Sequence, residues 1–134
     1  MEFNLEIGIL GKTELTVTEE KTAVAYGSGG IDVFATPAMI GVMENAALEI
    51  ADQHLPDGWS TVGTRLDVRH IAATPKGMKV RAEAKLIAVK GKQLTFEVTA
   101  YDDEEKIGEG IHDRYIINKE TFLNKTEEKK ARQT

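Results

Sequence analysis

Cysteine is absent from the 134 residues. That excludes a disulfide framework, a thiolate metal site, a cysteine nucleophile and an iron–sulfur cluster. Basic blocks are missing too: Lys and Arg number 17 against 22 Asp and Glu, for a net charge of −5. Such a chain makes a poor nucleic-acid binder, because that affinity comes largely from phosphate neutralisation. No stretch of ~20 apolar residues could span a bilayer, so no membrane partner is expected. The opening residues Met1–Glu6 carry acid where an export signal would carry base, which predicts a cytoplasmic protein. There is no G-x-G-x-x-G, Walker, G-x-S-x-G or H-E-x-x-H sequence, and the three histidines are too scattered for a zinc site. Neither metal nor cofactor is expected. Chemistry, if present, must come from a carboxylate, an imidazole and a hydroxyl.

What remains is an ordinary globular composition, with 41% hydrophobic and 29% charged residues, of a length that suits one domain. Residues 12–18 alternate and are rich in β-branched side chains, which predicts a strand. Gly27-Ser28-Gly29-Gly30 is a flexible break. Thr36-Pro37 reads as a helix start, with Thr36 at the N-cap, and Pro56-Asp57-Gly58 as the stop of a long apolar helix. After Gly58 the period becomes 2. Val62, Thr64, Leu66, Val68 and His70 are predicted to share a packed face, and further alternating strands cover 80–86, 94–101 and roughly 106–118. Short turn sequences join these four strands, which predicts an antiparallel meander. Asp102-Asp103-Glu104-Glu105 fits a solvated turn better than a calcium loop. The polar tail from Lys119, with Phe122 and Leu123 as its apolar anchors, predicts a short frayed helix.

Two polar residues interrupt apolar surfaces. At ~100° per residue, Asn45, Glu49, Asp52 and Gln53 form the wet face of the helix, and Glu44 lies well away from them, next to Ile40, Ala47 and Leu48. A carboxylate there must be desolvated, paired or functional. His70 is the matching anomaly on the sheet. Facing surfaces of helix and sheet would let Glu44 and His70 meet and tune one another. A backbone-bonded Glu44 and a satisfied core or rim His70 are the bland alternatives. His54 and His112 read as structural or surface residues, and Arg114, on one strand face with His112 and Ile116, as half of a surface ion pair. Thr36 has its capping role, yet its hydroxyl also lies where helix N–H groups can receive an anion or a developing oxyanion.

Residues 33–44 (Val-Phe-Ala-Thr-Pro-Ala-Met-Ile-Gly-Val-Met-Glu) resemble the helix-start motif of hot-dog-fold thioesterases of the fluoroacetyl-CoA thioesterase-like family. Gly63-Thr64 through Val68-Arg69-His70-Ile71-Ala72-Ala73-Thr74-Pro75 resembles that family's second motif, and Gly108–Arg114 its closing strand. The resemblance runs over roughly residues 3–124. It implies an α+β hot-dog fold, an antiparallel sheet wrapped around one long central helix, as a single domain over 1–124 with a polar tail over 125–134. It also implies hydrolysis of an acyl-CoA by a homodimer, or a pair of dimers, with sites at the subunit interface. Position by position, Thr36, Glu44 and His70 match the family's catalytic residues. Gly63 and Arg114, together with His70, match positions that contact the thioester or the CoA, whose phosphates suit a guanidinium.

On that basis Glu44 is expected to act as nucleophile or as the base activating water. His70 would assist proton transfer, and Thr36 with the helix N–H groups would polarise the thioester carbonyl. Fluoroacetyl-selective members place bulky aromatic residues in the loop before the helix. The glycine-rich loop here has none, which predicts a small or medium acyl group without selectivity for fluorine. The competing reading is a non-hydrolytic acyl-CoA binding or regulatory module on the same fold. A hydratase is disfavoured, because no segment resembles the Asp-to-His hydratase motif.

Overall fold

A computed structural model describes residues 3–133. The elements follow in the order β1 (Leu10–Thr16), a 3-10 turn (Glu19–Lys21), α1 (Ala23–Tyr26), α2 (Thr36–Asp52), β2 (Trp59–His70), β3 (Lys79–Lys90), β4 (Gln93–Asp102), β5 (Lys106–Asn118) and α3 (Lys119–Ala131). The five strands form one antiparallel sheet that curves around α2, as the hot-dog resemblance implies. The alternating residues Val80, Ala82, Ala84, Leu86, Leu94, Phe96, Val98 and Ala100 are fully buried against the helix residues Met39, Met43, Ala46 and Ala47. Full burial of one large apolar side chain contributes roughly 1.5–3 kcal/mol, so this interface holds the domain together.

The strand order is β1-β3-β4-β5-β2, and this corrects the expected four-strand meander. Only β3, β4 and β5 follow one another as hairpins. Two residues, Gly91 in the left-handed region (φ 61°) and Lys92, turn β3 into β4. Asp102 closes the next turn by accepting from the backbone N–H of Glu104 (2.8 Å) and Glu105 (2.9 Å). After β2, by contrast, the chain crosses to the far side of the sheet. Residues 71–78 spend their backbone groups elsewhere: Ile71 N–H on Ile107, Thr74 C=O on the Phe34 N–H and Gly77 N–H on Val17. β2 therefore pairs with β5 and forms an edge of the sheet.

A register shift between Gly63 and Arg65 changes which residues of β2 face the helix. Leu66, Val68 and His70 do pair with the helix-facing positions His112, Gly110 and Gly108 of β5, as their alternation predicts. On the other side of the bulge the parity reverses. Gly63 and Thr61, which pair with Arg114 and Ile116, take the packed face in place of Thr64 and Val62.

Asn45, Glu49, Asp52 and Gln53 are exposed, as expected. α3 is capped by Asn118, whose side chain accepts from the Thr121 N–H at 3.0 Å, and none of its residues is buried. It runs from Lys119 to Ala131, where the sequence predicts a short frayed helix. Among the described residues no helix is long and apolar enough to cross a membrane.

Candidate active site

Polar side chains of α2 meet β2 at three levels along the seam between them. At the first, Thr36 Oγ1 and His70 Nδ1 share a hydrogen bond of 2.8 Å. At the second, Glu44 sits over Gly63, where a Cβ would lie only 2.9 Å from Glu44 Oε2. At the third, Ser60 donates to Asp52 Oδ1 at 2.8 Å. Thr36, Glu44 and Asp52 are spaced eight residues apart, which is about 12 Å of helix rise per step.

Thr36 is not the N-cap. It is the first residue of α2, and Ala35 occupies the cap position in extended conformation with no side-chain bond. The threonine hydroxyl bonds His70 across the seam instead. The first turn leaves backbone N–H groups outside the helical ladder, since the first intrahelical bond runs from Met39 N–H to Ala35 C=O. His70 Nε2 is buried and has no hydrogen-bond partner among the described residues. Burial pushes the imidazole below its usual pKa, with the Ala72 backbone pulling the other way. The ring is thus neutral at neutral pH, in the state able to accept a proton and pass it on. Beside this pair opens a cleft of about 310 Å³, lined by Val33, Phe34, Thr36, His70, Ile71 and Ala72 among others.

Glu44 does not meet His70 within one chain. It lies one level further along the seam, 3.9 Å from Arg114 Nη1, with its side chain 40% exposed. Arg114 is 5% exposed, so it is no surface ion pair. Its Nε donates to Thr61 Oγ1 (2.7 Å), its Nη2 to the Thr61 carbonyl (2.9 Å) and its Nη1 to His112 Nε2 (3.1 Å). His112 is fully buried, and its Nδ1–H donates to the Arg65 carbonyl at 2.8 Å. Burial holds its pKa down, the Arg65 carbonyl opposes this, and the Arg114 charge lowers it further. His54 is exposed and bonds the Ile50 carbonyl at 2.9 Å, in keeping with a structural role.

Sequence reasoning missed Thr61 and gave His112 no part in the site. The bulge at Gly63 brings Thr61 inward, and alternation carries no signal for a bulge. His112 was visible as a polar residue on the packed face of β5, the same signal that singled out His70. Among the described residues no group of three or more His, Asp or Glu is gathered as a metal site requires.

Comparison with known proteins places this geometry. The family described as fluoroacetyl-CoA-specific thioesterase FlK matches residues 17–120. A curated fluoroacetyl-CoA thioesterase from Streptantibioticus cattleyicolor is 40% identical over 98 residues, covering 73% of this chain and 70% of the relative. The solved structure of the fluoroacetyl-CoA thioesterase FlK superposes with a TM-score of 0.88 at 33% identity, covering 94% of this chain and 98% of that one. A threonine-to-serine variant of FlK, solved in complex with acetyl-CoA, also reaches a TM-score of 0.88, at 32% identity over 93% of this chain and 98% of its own. A thioesterase superfamily member from Thermus thermophilus gives a TM-score of 0.88 at 28% identity, with 96% of each chain covered.

Proposed function

The chain belongs to the fluoroacetyl-CoA-specific thioesterase family, its reaction is hydrolysis of an acyl-CoA thioester, and we propose that Thr36, Glu44 and His70 carry out that reaction at a homodimer interface. The observation that carries this reading is the 2.8 Å bond between Thr36 and His70 at the N-terminus of α2, beside an open cleft. A hydroxyl and free helix N–H groups at that point suit the thioester carbonyl oxygen, where negative charge develops. The Glu44 carboxylate attacks the carbonyl carbon or deprotonates the water that does. The tetrahedral intermediate then expels the CoA thiolate as the C–S bond breaks. Neutral His70 passes the proton that water gives up to the departing sulfur. With Glu44 as base, free acid and CoA result directly; with Glu44 as nucleophile, water then cleaves the acyl–Glu44 anhydride to free acid and restores the carboxylate.

The spacing of the seam supports a dimer. Thr36 and Glu44 lie symmetrically about Ile40, and Gly63 and His70 about the Leu66–Asp67 peptide. A two-fold axis at that point sets the partner's Glu44 against Thr36 and His70 and pairs the two β2 edges antiparallel. Leu66, apolar and 40% exposed on the packed face, lies at that axis. A buried guanidinium does not suit CoA phosphates, so Arg114 serves the thioester end of the site, next to Glu44. The apolar lining of the cleft suits a small or medium acyl group, and the Gly27–Gly30 loop places no aromatic ring over it. A cytoplasmic location completes the reading.

Release of free CoA from acyl-CoAs of increasing chain length, followed with a thiol-reactive dye, tests this function. The protein has no cysteine to add background. Catalytic release with a preference for short to medium unsubstituted acyl groups is expected. Saturable acyl-CoA binding without release would establish the binding-module alternative instead.

A further inference from the structure

We propose that His112 is a positioning residue: through Arg114 it fixes where the Glu44 carboxylate sits. The proposal rests on the reading of Glu44 as the reacting carboxylate. Its basis is the hydrogen bonding beneath that residue. His112 Nδ1 lies 2.8 Å from the Arg65 carbonyl, which can only accept, so the ring proton resides on Nδ1. Nε2 then carries the lone pair and accepts from Arg114 Nη1 at 3.1 Å. The other contacts of the guanidinium are Thr61 Oγ1 at 2.7 Å and the Thr61 carbonyl at 2.9 Å.

All three acceptors are neutral. They fix the orientation of Arg114 without neutralising its charge, and the carboxylate that faces this charge is Glu44, with Oε2 3.9 Å from Nη1. Asp52 adds a further attraction along the seam. A histidinium at 112 would turn an N–H toward the guanidinium and undo the arrangement, and burial keeps the ring neutral.

The three side chains converge on the space above Gly63. A Cβ there would lie 2.9 Å from Glu44 Oε2, 3.1 Å from His112 Cε1 and 3.4 Å from Arg114 Nη1. Gly63 therefore leaves room for this convergence. His112 is fully buried and Arg114 is 5% exposed, so His112 reaches the substrate only through Arg114 and the Glu44 carboxylate beside it. Removing the acceptor on Nε2 strands one buried guanidinium N–H. The guanidinium then turns to the nearest oxygen it can reach, the Glu44 carboxylate, and draws it out of place.

Steady-state hydrolysis of an accepted acyl-CoA by wild type, His112→Leu, His112→Gln and Thr61→Val, with Glu44→Gln as reference, tests this. His112→Leu is expected to lower kcat about 10- to 100-fold with KM changed by less than about threefold. His112→Gln, whose amide oxygen can stand in for Nε2, should recover most of that loss. A folded His112→Leu with wild-type kcat, a loss confined to KM, or no recovery with glutamine would overturn the proposal. If the leucine variant does not fold, Thr61→Val carries the test: it removes one Arg114 acceptor at nearly constant volume, and wild-type kcat there overturns the proposal. An active Glu44→Gln would remove the reading of Glu44 itself, whereas an inactive Glu44→Gln beside a fully active His112→Leu would sink only the role of His112.

Discussion

Thr36 does more for the site than for its helix. The cap position belongs to Ala35, which makes no side-chain bond, and the threonine hydroxyl lies 2.8 Å from His70 Nδ1, where it can accept from the ring and keep its own proton for the substrate. Thr36→Ala should therefore leave the unfolding midpoint almost unchanged, short of the ~1 kcal/mol that losing a working cap costs. It should lower kcat by about 10²-fold through loss of a donor at the developing oxyanion. A paired denaturation and rate measurement checks this, and a large stability loss with intact kcat would restore the capping role. Residues such as Glu44 and His70 were legible in the sequence because a polar group on an apolar periodic face is costly unless it has a partner or a task. His112 breaks the same rule yet reads as structural, and Arg114 alone reads as half of a surface ion pair, its place in the site coming from the family resemblance. Their partners, Thr61 and the Arg65 carbonyl, come together only through pairing between distant strands.

At the scale of elements, helix period and strand alternation were legible because each is written in consecutive residues. The central helix and the β3, β4 and β5 hairpins follow from that. The place of β2 does not: pairing with β5 leaves no local trace, and the bulge at Gly63 reverses a parity that alternation assumes constant. That misplaced strand is functionally the most consequential one, since it forms one side of the α2–β2 seam and a free edge of the sheet. The proposed dimer joins such edges at Leu66. Leu66→Arg is then expected to yield a folded monomer, because the side chain is already 40% exposed in the single chain, and to abolish turnover by separating Thr36 and His70 from the partner's Glu44. Sedimentation analysis with a matched activity assay tests this, and a monomer with full activity would contradict a shared site.

At the scale of the whole molecule, half-buried His70 and fully buried His112 link stability to pH. Burial lowers the pKa of His70, partly offset by the Ala72 backbone. Burial lowers His112 as well, opposed by the Arg65 carbonyl and reinforced by the Arg114 charge. A histidine whose pKa is depressed in the folded state binds more protons when unfolded. Its contribution is therefore fully present above the unfolded value near pH 6.5 and is lost as pH falls toward the folded value. Denaturant midpoints at fixed protein concentration should thus decline from about pH 7 to 5, and decline less steeply in His112→Gln. Asp102, where partial desolvation is outweighed by bonds from Glu104, Thr74 and Glu105 that hold its carboxyl below its usual value, adds its own loss only under more acidic conditions, below about pH 4. A flat profile between pH 7 and 5 would contradict the neutral state assigned to both rings.

The central claim, that Glu44 supplies the carboxylate that cleaves an acyl-CoA thioester, is tested most directly by one comparison. Purified wild type and Glu44→Gln are given the acyl-CoA that wild type hydrolyses best, and the initial rate of CoA thiol release is measured at saturating substrate. The amide keeps the shape of the side chain and removes its ability to attack or to take a proton. The account predicts a loss of about 10²- to 10⁴-fold in kcat, in a protein that remains folded and retains its oligomeric state. Release by Glu44→Gln at the wild-type rate would contradict it.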